Sequence, residues 1–123
     1  MTPLEAWQSV LRRKREFLGG YFQCTYRGGE IYLGPVKDIK IKNGCLTITT
    51  QWTAHLGSVR TGYKKVKGHK ANEFSFTIAY GTAPNNAANG VNWASIKPEG
   101  CELWLAKKGV GIDGFDPSMV EGL

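Results

Sequence analysis

Asn43-Gly44 lies midway along the stretch VKDIKIKNGCLTITTQWTAHL, between two segments in which apolar and polar residues alternate. Asparagine followed by glycine is the pair that most readily takes positive φ at both central positions of a type I′ turn. The twist of that turn matches the strands it joins. A two-residue loop also fixes register, so Lys42 faces Cys45, Ile41 faces Leu46, Lys40 faces Thr47 and Ile39 faces Ile48. One face then carries Ile39, Ile41, Leu46 and Ile48, and the other carries Asp38, Lys40, Thr47 and Thr49. A slip of one residue would exchange the two faces, so the pattern predicts a half-buried antiparallel hairpin.

The same period of two recurs on both sides of it. Tyr21 to Arg27 reads as a strand ending at Gly28-Gly29, and Glu30 to Lys42 as a long strand interrupted at Gly34-Pro35. Proline cannot donate to a ladder, so Pro35 belongs at an edge or a bulge. The partner strand runs to about His55. Asn72 to Tyr80 alternates again, with Phe74, Phe76, Ile78 and Tyr80 on one face. Residues 81–90 (GTAPNNAANG) are a polar, turn-rich connection. Val91 to Ile96 and Cys101 to Lys107 flank Lys97-Pro98-Glu99-Gly100, which predicts a second hairpin.

Ahead of the strands the period changes. Thr2-Pro3-Leu4-Glu5 combines a cap residue, a proline at the first helical position and a glutamate at the third. Leu4, Trp7, Val10, Leu11, Phe17 and Leu18 recur at helical spacing before Gly19-Gly20, which predicts an amphipathic helix over 3–18. The chain of 123 residues, 41% hydrophobic and 11% aromatic, suits one folded domain. The expected fold is mainly β in a single domain, 1–123: a helix over 3–18, antiparallel β over 20–107 and a C-terminal coil over 108–123. About six strands would form a small barrel or a strongly twisted sheet. This order of elements is similar to that of SH3-like and Sm-like barrels. The similarity is one of order alone, and fold does not carry function.

Charge is the most localised feature. Of the net +6, five units fall within RTGYKKVKGHK, residues 60–70, which hold Arg60, Lys64, Lys65, Lys67 and Lys70 and no acid. With Tyr63 available to stack on a base, loop 58–71 has the charge-plus-aromatic character of surfaces that hold single-stranded nucleic acid or another polyanion. An exposed, solvated loop carries the same residues. The Arg12-Arg13-Lys14-Arg15 run fits the solvated face of a helix. Because it follows apolar residues instead of preceding them, it does not make a signal peptide. No apolar run is long enough to span a membrane, and a cytoplasmic protein is expected.

The aromatic residues divide by parity. Trp52 shares the Leu46-Ile48 face and is expected in the core, whereas Trp104 alternates against Cys101, Leu103 and Leu105 and points outward. Leu4, Trp7 and Leu11 need a surface to bury against, so the helix or the C-terminal tail is expected to cover Trp104. Extending the hairpin register places Lys37 opposite Thr50 on the inward face. Either that pair lines a small-molecule cavity, or a bulge near Gly34-Pro35 swings Lys37 outward.

The three cysteines, Cys24, Cys45 and Cys101, are odd in number and widely spaced, which fits half-buried thiols within strands. A metal held by Cys24, Cys45 and His55 has no spacing to support it. No G-x-S-x-G, phosphate-cradling glycine loop or H-E-x-x-H occurs. Gly-Val-Gly-Ile-Asp-Gly at 109–114 has the glycines of a nucleotide fingerprint but no helix-forming sequence after it. No catalytic residue and no cofactor is expected. The leading expectation is a non-enzymatic binding module acting through the basic loop. The second is an assembly protein forming a homo-oligomer through sheet edges and exposed aromatics, and the third is a small-ligand-binding barrel.

Overall fold

The computed structural model describes residues 1–26, 30–55, 66–95, 101–112, 116, 118 and 120–121. Its central turn takes the conformation that its two residues favour, with φ of 52° at Asn43 and 73° at Gly44. Strand β2 (Glu30–Lys42) therefore pairs with β3 (Cys45–His55) in the expected register, from Lys42↔Cys45 through Ile39↔Ile48 to Asp38↔Thr49. The alternation then fails. Val36, not Lys37, stands opposite Thr50, with register shifts on both sides of Val36. The extra residue is Lys37, which is exposed.

The remaining strands are β1 (Tyr21–Tyr26), β4 (Val66–Lys67), β5 (His69–Thr77), β6 (Asn85–Ala87), β7 (Gly90–Ser95), β8 (Cys101–Ala106) and β9 (Val120–Glu121). Seven of the nine described strands form one antiparallel sheet in the order β5-β3-β2-β1-β8-β7-β6, while β4 and β9 pair in parallel as a separate small ladder. The fold class is thus mainly β, with one N-terminal helix on a strongly curled sheet.

Ring contacts across the sheet give the degree of curling. Three strand spacings separate β5 from β1, about 14 Å in a flat sheet, yet the rings of Phe74 and Phe22 are 5.0 Å apart. Phe76 on β5 and Trp93 on β7 are 6.1 Å apart across five spacings. The sheet stays open between its end strands β5 and β6. The chain crosses that gap through a 3-10 turn at Ile78–Tyr80, an isolated Gly81↔Ser95 bridge, and a bond from the Thr82 N–H to the Ala94 carbonyl (2.9 Å).

Helix α1 (Pro3–Leu11) starts with the expected capping box. Thr2 Oγ1 accepts from the Glu5 N–H at 3.1 Å, and the Thr2 N–H donates to Glu5 Oε1 at 3.0 Å. It ends seven residues before the predicted Leu18, and a 3-10 turn follows at Lys14–Glu16. Tertiary bonds explain the early stop. The Gly19 N–H donates to the Val36 carbonyl, the Val36 N–H to Gly20 and the Lys108 N–H to Glu16, which draws the backbone of this segment onto the sheet. A helix continued to Leu18 would turn the Glu16 carbonyl along its own axis, away from the Lys108 N–H. Phe17 is fully buried as a result.

The main core lies between α1 and the inner face of the sheet. Trp7 meets Trp93 edge-on with ring centroids 4.7 Å apart, and Phe22, Ile39, Ile48 and Leu105 are fully buried around them. Trp52 is buried, but not beside Leu46 and Ile48 as parity predicts. The register shifts break the alternation, and Trp52 joins a second cluster with Leu33 and Ala54, on which Tyr21, Ile112 and Val120 pack. The C-terminal segment is accordingly more than coil, because β9 pairs with β4 and Ile112 and Val120 seal this smaller core.

Candidate functional site

Four of the six residues predicted to contact a polyanion, Arg60, Tyr63, Lys64 and Lys65, lie outside the described residues. Lys67 stands in β4 opposite Glu121 of β9. Lys70 is exposed on β5 opposite Trp52, next to exposed His69 opposite Thr53. The β3–β5 ladder runs from Cys45↔Thr77 to Thr53↔His69. β3 therefore ends, and β5 begins, at the end of the sheet away from Asn43-Gly44.

The other basic run is used within the fold. Lys14 Nζ lies 2.8 Å from Asp38 Oδ1 and donates to the Ile39 carbonyl at 3.4 Å. Hydrogen bonding from Lys14 holds the Asp38 carboxyl below its ordinary range. Arg13 donates to Asn86 Oδ1 at 2.8 Å and lies 3.7 Å from Glu16, which also takes Lys107 at 3.2 Å. Two of the four charges thus bind the segment after α1 to distant strands.

Cys24 and Cys101 are brought together with their sulfurs 3.1 Å apart, and the contact with Cys24 lowers the Cys101 thiol below its ordinary value despite burial. Cys45 and His55 occupy opposite ends of β3. Ten residues of extended chain separate them by about 33 Å, so Cys24, Cys45 and His55 cannot share an ion. Among the described residues no group of three His, Cys, Asp or Glu side chains gathers to hold a metal. The glycine-rich segment at 109–114 runs as turn and coil through residue 112.

The exposure of Lys37 removes the inward polar pair that would have lined a cavity. Concave space lies instead on the opposite, outer face of the sheet, as a groove of about 460 Å³. Its floor is two transverse rows set by register. One row is Gln23, Trp104, Asn92 and Asn85 on β1, β8, β7 and β6, and the next is Thr25, Glu102 and Ala94. Thr82 and Ala83 form a wall, and Thr82 Oγ1 is fixed there by accepting from the Ala94 N–H at 2.9 Å.

Trp104 is therefore not under the helix. Helix α1 buries Trp7 on the inner face, where Trp93 receives it, and leaves Trp104 half-buried in the groove. Gly90 makes room for its indole: a Cβ there would stand 2.8 Å from Trp104 Cζ2 and 2.9 Å from Cη2. Sequence parity finds that Trp104 points outward. The groove escapes such reading because it depends on the pairing of β6, a strand hidden within a turn-rich segment.

Fold and groove together define a small, curled antiparallel β domain with a helix on its inner face and a polar, aromatic-floored cleft on its outer face. No protein-family model matches the chain, and no curated protein or solved structure matches it. Among the described residues no helix is long and apolar enough to cross a membrane.

Proposed function

We propose that the protein is a non-enzymatic binding module whose basic segment, 58–71, contacts single-stranded nucleic acid or another polyanion with weak sequence preference. The observation that carries this reading is the placement of five of six net positive charges within residues 60–70, with no acid among them. Two features support it. The cations at Lys14 and Arg13 are engaged by the fold, whereas Lys70 and its neighbour His69 are exposed at the start of β5. Tyr63 within the segment supplies a ring for stacking, the sequence-tolerant part of such contacts.

Fluorescence anisotropy with oligo-dT and oligo-dA, repeated over a range of salt, tests it. Five cations on phosphates give a slope of log affinity against log salt near about −3.5, at about 0.7 per contact on single strands. The charge-reversed triple variant Lys64→Glu, Lys65→Glu, Lys67→Glu is expected to lose binding. Absent binding, or affinity indifferent to salt, would rule the reading out.

A second reading, assembly into a homo-oligomer, rests on the open ends of the sheet at β5 and β6 and on exposed Leu4 and Tyr80. Light scattering decides it: a monomer at high concentration excludes assembly.

A further inference from the structure

We infer that the outer-face groove is a binding site for a neutral carbohydrate, a short oligosaccharide laid across β1, β8 and β7 with one ring stacked on Trp104. At about 460 Å³ the groove falls within the size range of small-molecule sites, about 300–1,000 Å³. The chemistry of its floor selects the ligand. Trp104 is flanked across the ladder by Gln23 and Asn92, with Asn85 beyond. The carboxamides of exposed Asn92 and Asn85 each carry a donor and an acceptor side by side, the pattern that answers adjacent hydroxyl groups. The indole offers a flat apolar face for the C–H side of a pyranose, and Gly90 seats that ring in one place. Glu102 and Thr25, paired in the next row, add an acceptor and a hydroxyl.

Other ligand classes fit less well. Glu102 is the single charged residue among those described around the groove, so nothing there neutralises a phosphate or sulfate. An extended peptide needs a free strand edge, which this floor meets only at three-residue β6, while β1, β8 and β7, which carry Gln23, Trp104 and Asn92, have ladder partners on both sides. A purely apolar ligand would bury the amides and Glu102 without partners. None of the residues described around the groove belongs to the basic segment.

The test uses the full chain labelled with nitrogen-15. Cellotetraose, laminaritetraose, chitotetraose and maltotetraose are titrated at millimolar concentration, with tetramethylammonium and a heparin tetrasaccharide as charged controls. The indole N–H signal of Trp104 is expected to move saturably with at least one neutral tetrasaccharide, while that of Trp7, buried on the inner face and outside the groove, stays in place. Trp104→Ala should weaken binding by about tenfold or more. Asn92→Ala, at an exposed position where folding is not at risk, should weaken it as well. The triple charge reversal that abolishes polyanion binding should leave it unchanged. No shift with any of the four sugars overturns the inference. So does unchanged affinity in both single variants, or a response confined to tetramethylammonium or the heparin fragment.

Discussion

Lys14 Nζ stands 2.8 Å from Asp38 Oδ1, joining the segment after α1 to the residue that follows the Lys37 bulge. Both side chains are about half exposed, 40% and 47%, so the pair belongs with surface ion pairs worth about 0.2–1 kcal/mol. Hydrogen bonding from Lys14 holds the Asp38 carboxyl below its ordinary value of 3.8. A depressed carboxylate contributes stability above its unfolded pKa and loses it as pH falls through the folded value. Asp38→Asn is therefore expected to be less stable than the parent near about pH 7, by a gap that has narrowed at about pH 3. Urea unfolding at the two pH values measures the difference, and a gap undiminished in acid would contradict the assignment.

Gly34 sits where β2 departs from regular register. A Cβ at this position would collide with the Trp52 carbonyl oxygen and approach Thr50 Cβ to 2.9 Å. Backbone cannot yield as a flexible side chain can. Gly34→Ala is expected to cost about 1–3 kcal/mol through overpacking, beyond any gain from a less flexible unfolded chain. The urea midpoint reports it. Gly44→Ala meets no atom within 4 Å, so its cost comes from positive φ alone. Comparing the two separates steric from conformational causes.

How far the sequence reaches depends on how local each determinant is. Asn43-Gly44 sets its hairpin through its own backbone preferences, so the register is readable to Asp38↔Thr49. Thr2 and Glu5 start α1 for the same reason. The helix stop is different. Leu18 continues the apolar stripe, yet Val36 and Lys108, far away in sequence, claim the backbone at Gly19, Gly20 and Glu16. Trp52 changes cluster because bulging near Val36 alters the face, something alternation cannot register. The groove is harder still. Gln23, Trp104, Asn92 and Asn85 form a row only because four strands pair in one order, and that order is not written in any single segment.

Trp7 is the main anchor of the helix. It is 2% exposed and packs edge-on against Trp93 over the gap that the 3-10 turn at Ile78–Tyr80 crosses. Trp7→Ala should destabilise by about 3–5 kcal/mol, the range for removing a large aromatic from a core. Set against a total of about 5–15 kcal/mol for a domain, that leaves a marginal fold. Trp7→Phe should recover part of the loss by keeping an aromatic contact with Trp93. Urea unfolding followed by circular dichroism checks both, and a mild effect of the alanine variant would mean that α1 is not a structural part of the core.

Cys24 and Cys101 make the last prediction. Cys24 pairs with Leu103 and Cys101 with Tyr26, so the two cysteines are diagonal neighbours on adjacent strands with sulfurs 3.1 Å apart. A disulfide needs about 2.05 Å, a closure of about one ångström. With oxidised glutathione, the thiolate of half-buried Cys24 attacks one glutathione sulfur and releases one glutathione thiolate. Cys101, held 3.1 Å away, then loses its proton, attacks the Cys24 sulfur and expels the second. Two protein thiols are oxidised and one glutathione disulfide is reduced. Peptide mapping should find residues 24 and 101 linked, with Cys45 outside the bridge. The bond spans 77 positions, and chain entropy sets an upper gain of about 4.5 kcal/mol in stability. Cys101→Ser should stop the reaction at the mixed disulfide on Cys24. Oxidation that instead joins Cys45 to either residue, or links two chains, would show that the sheet does not hold these sulfurs together in solution.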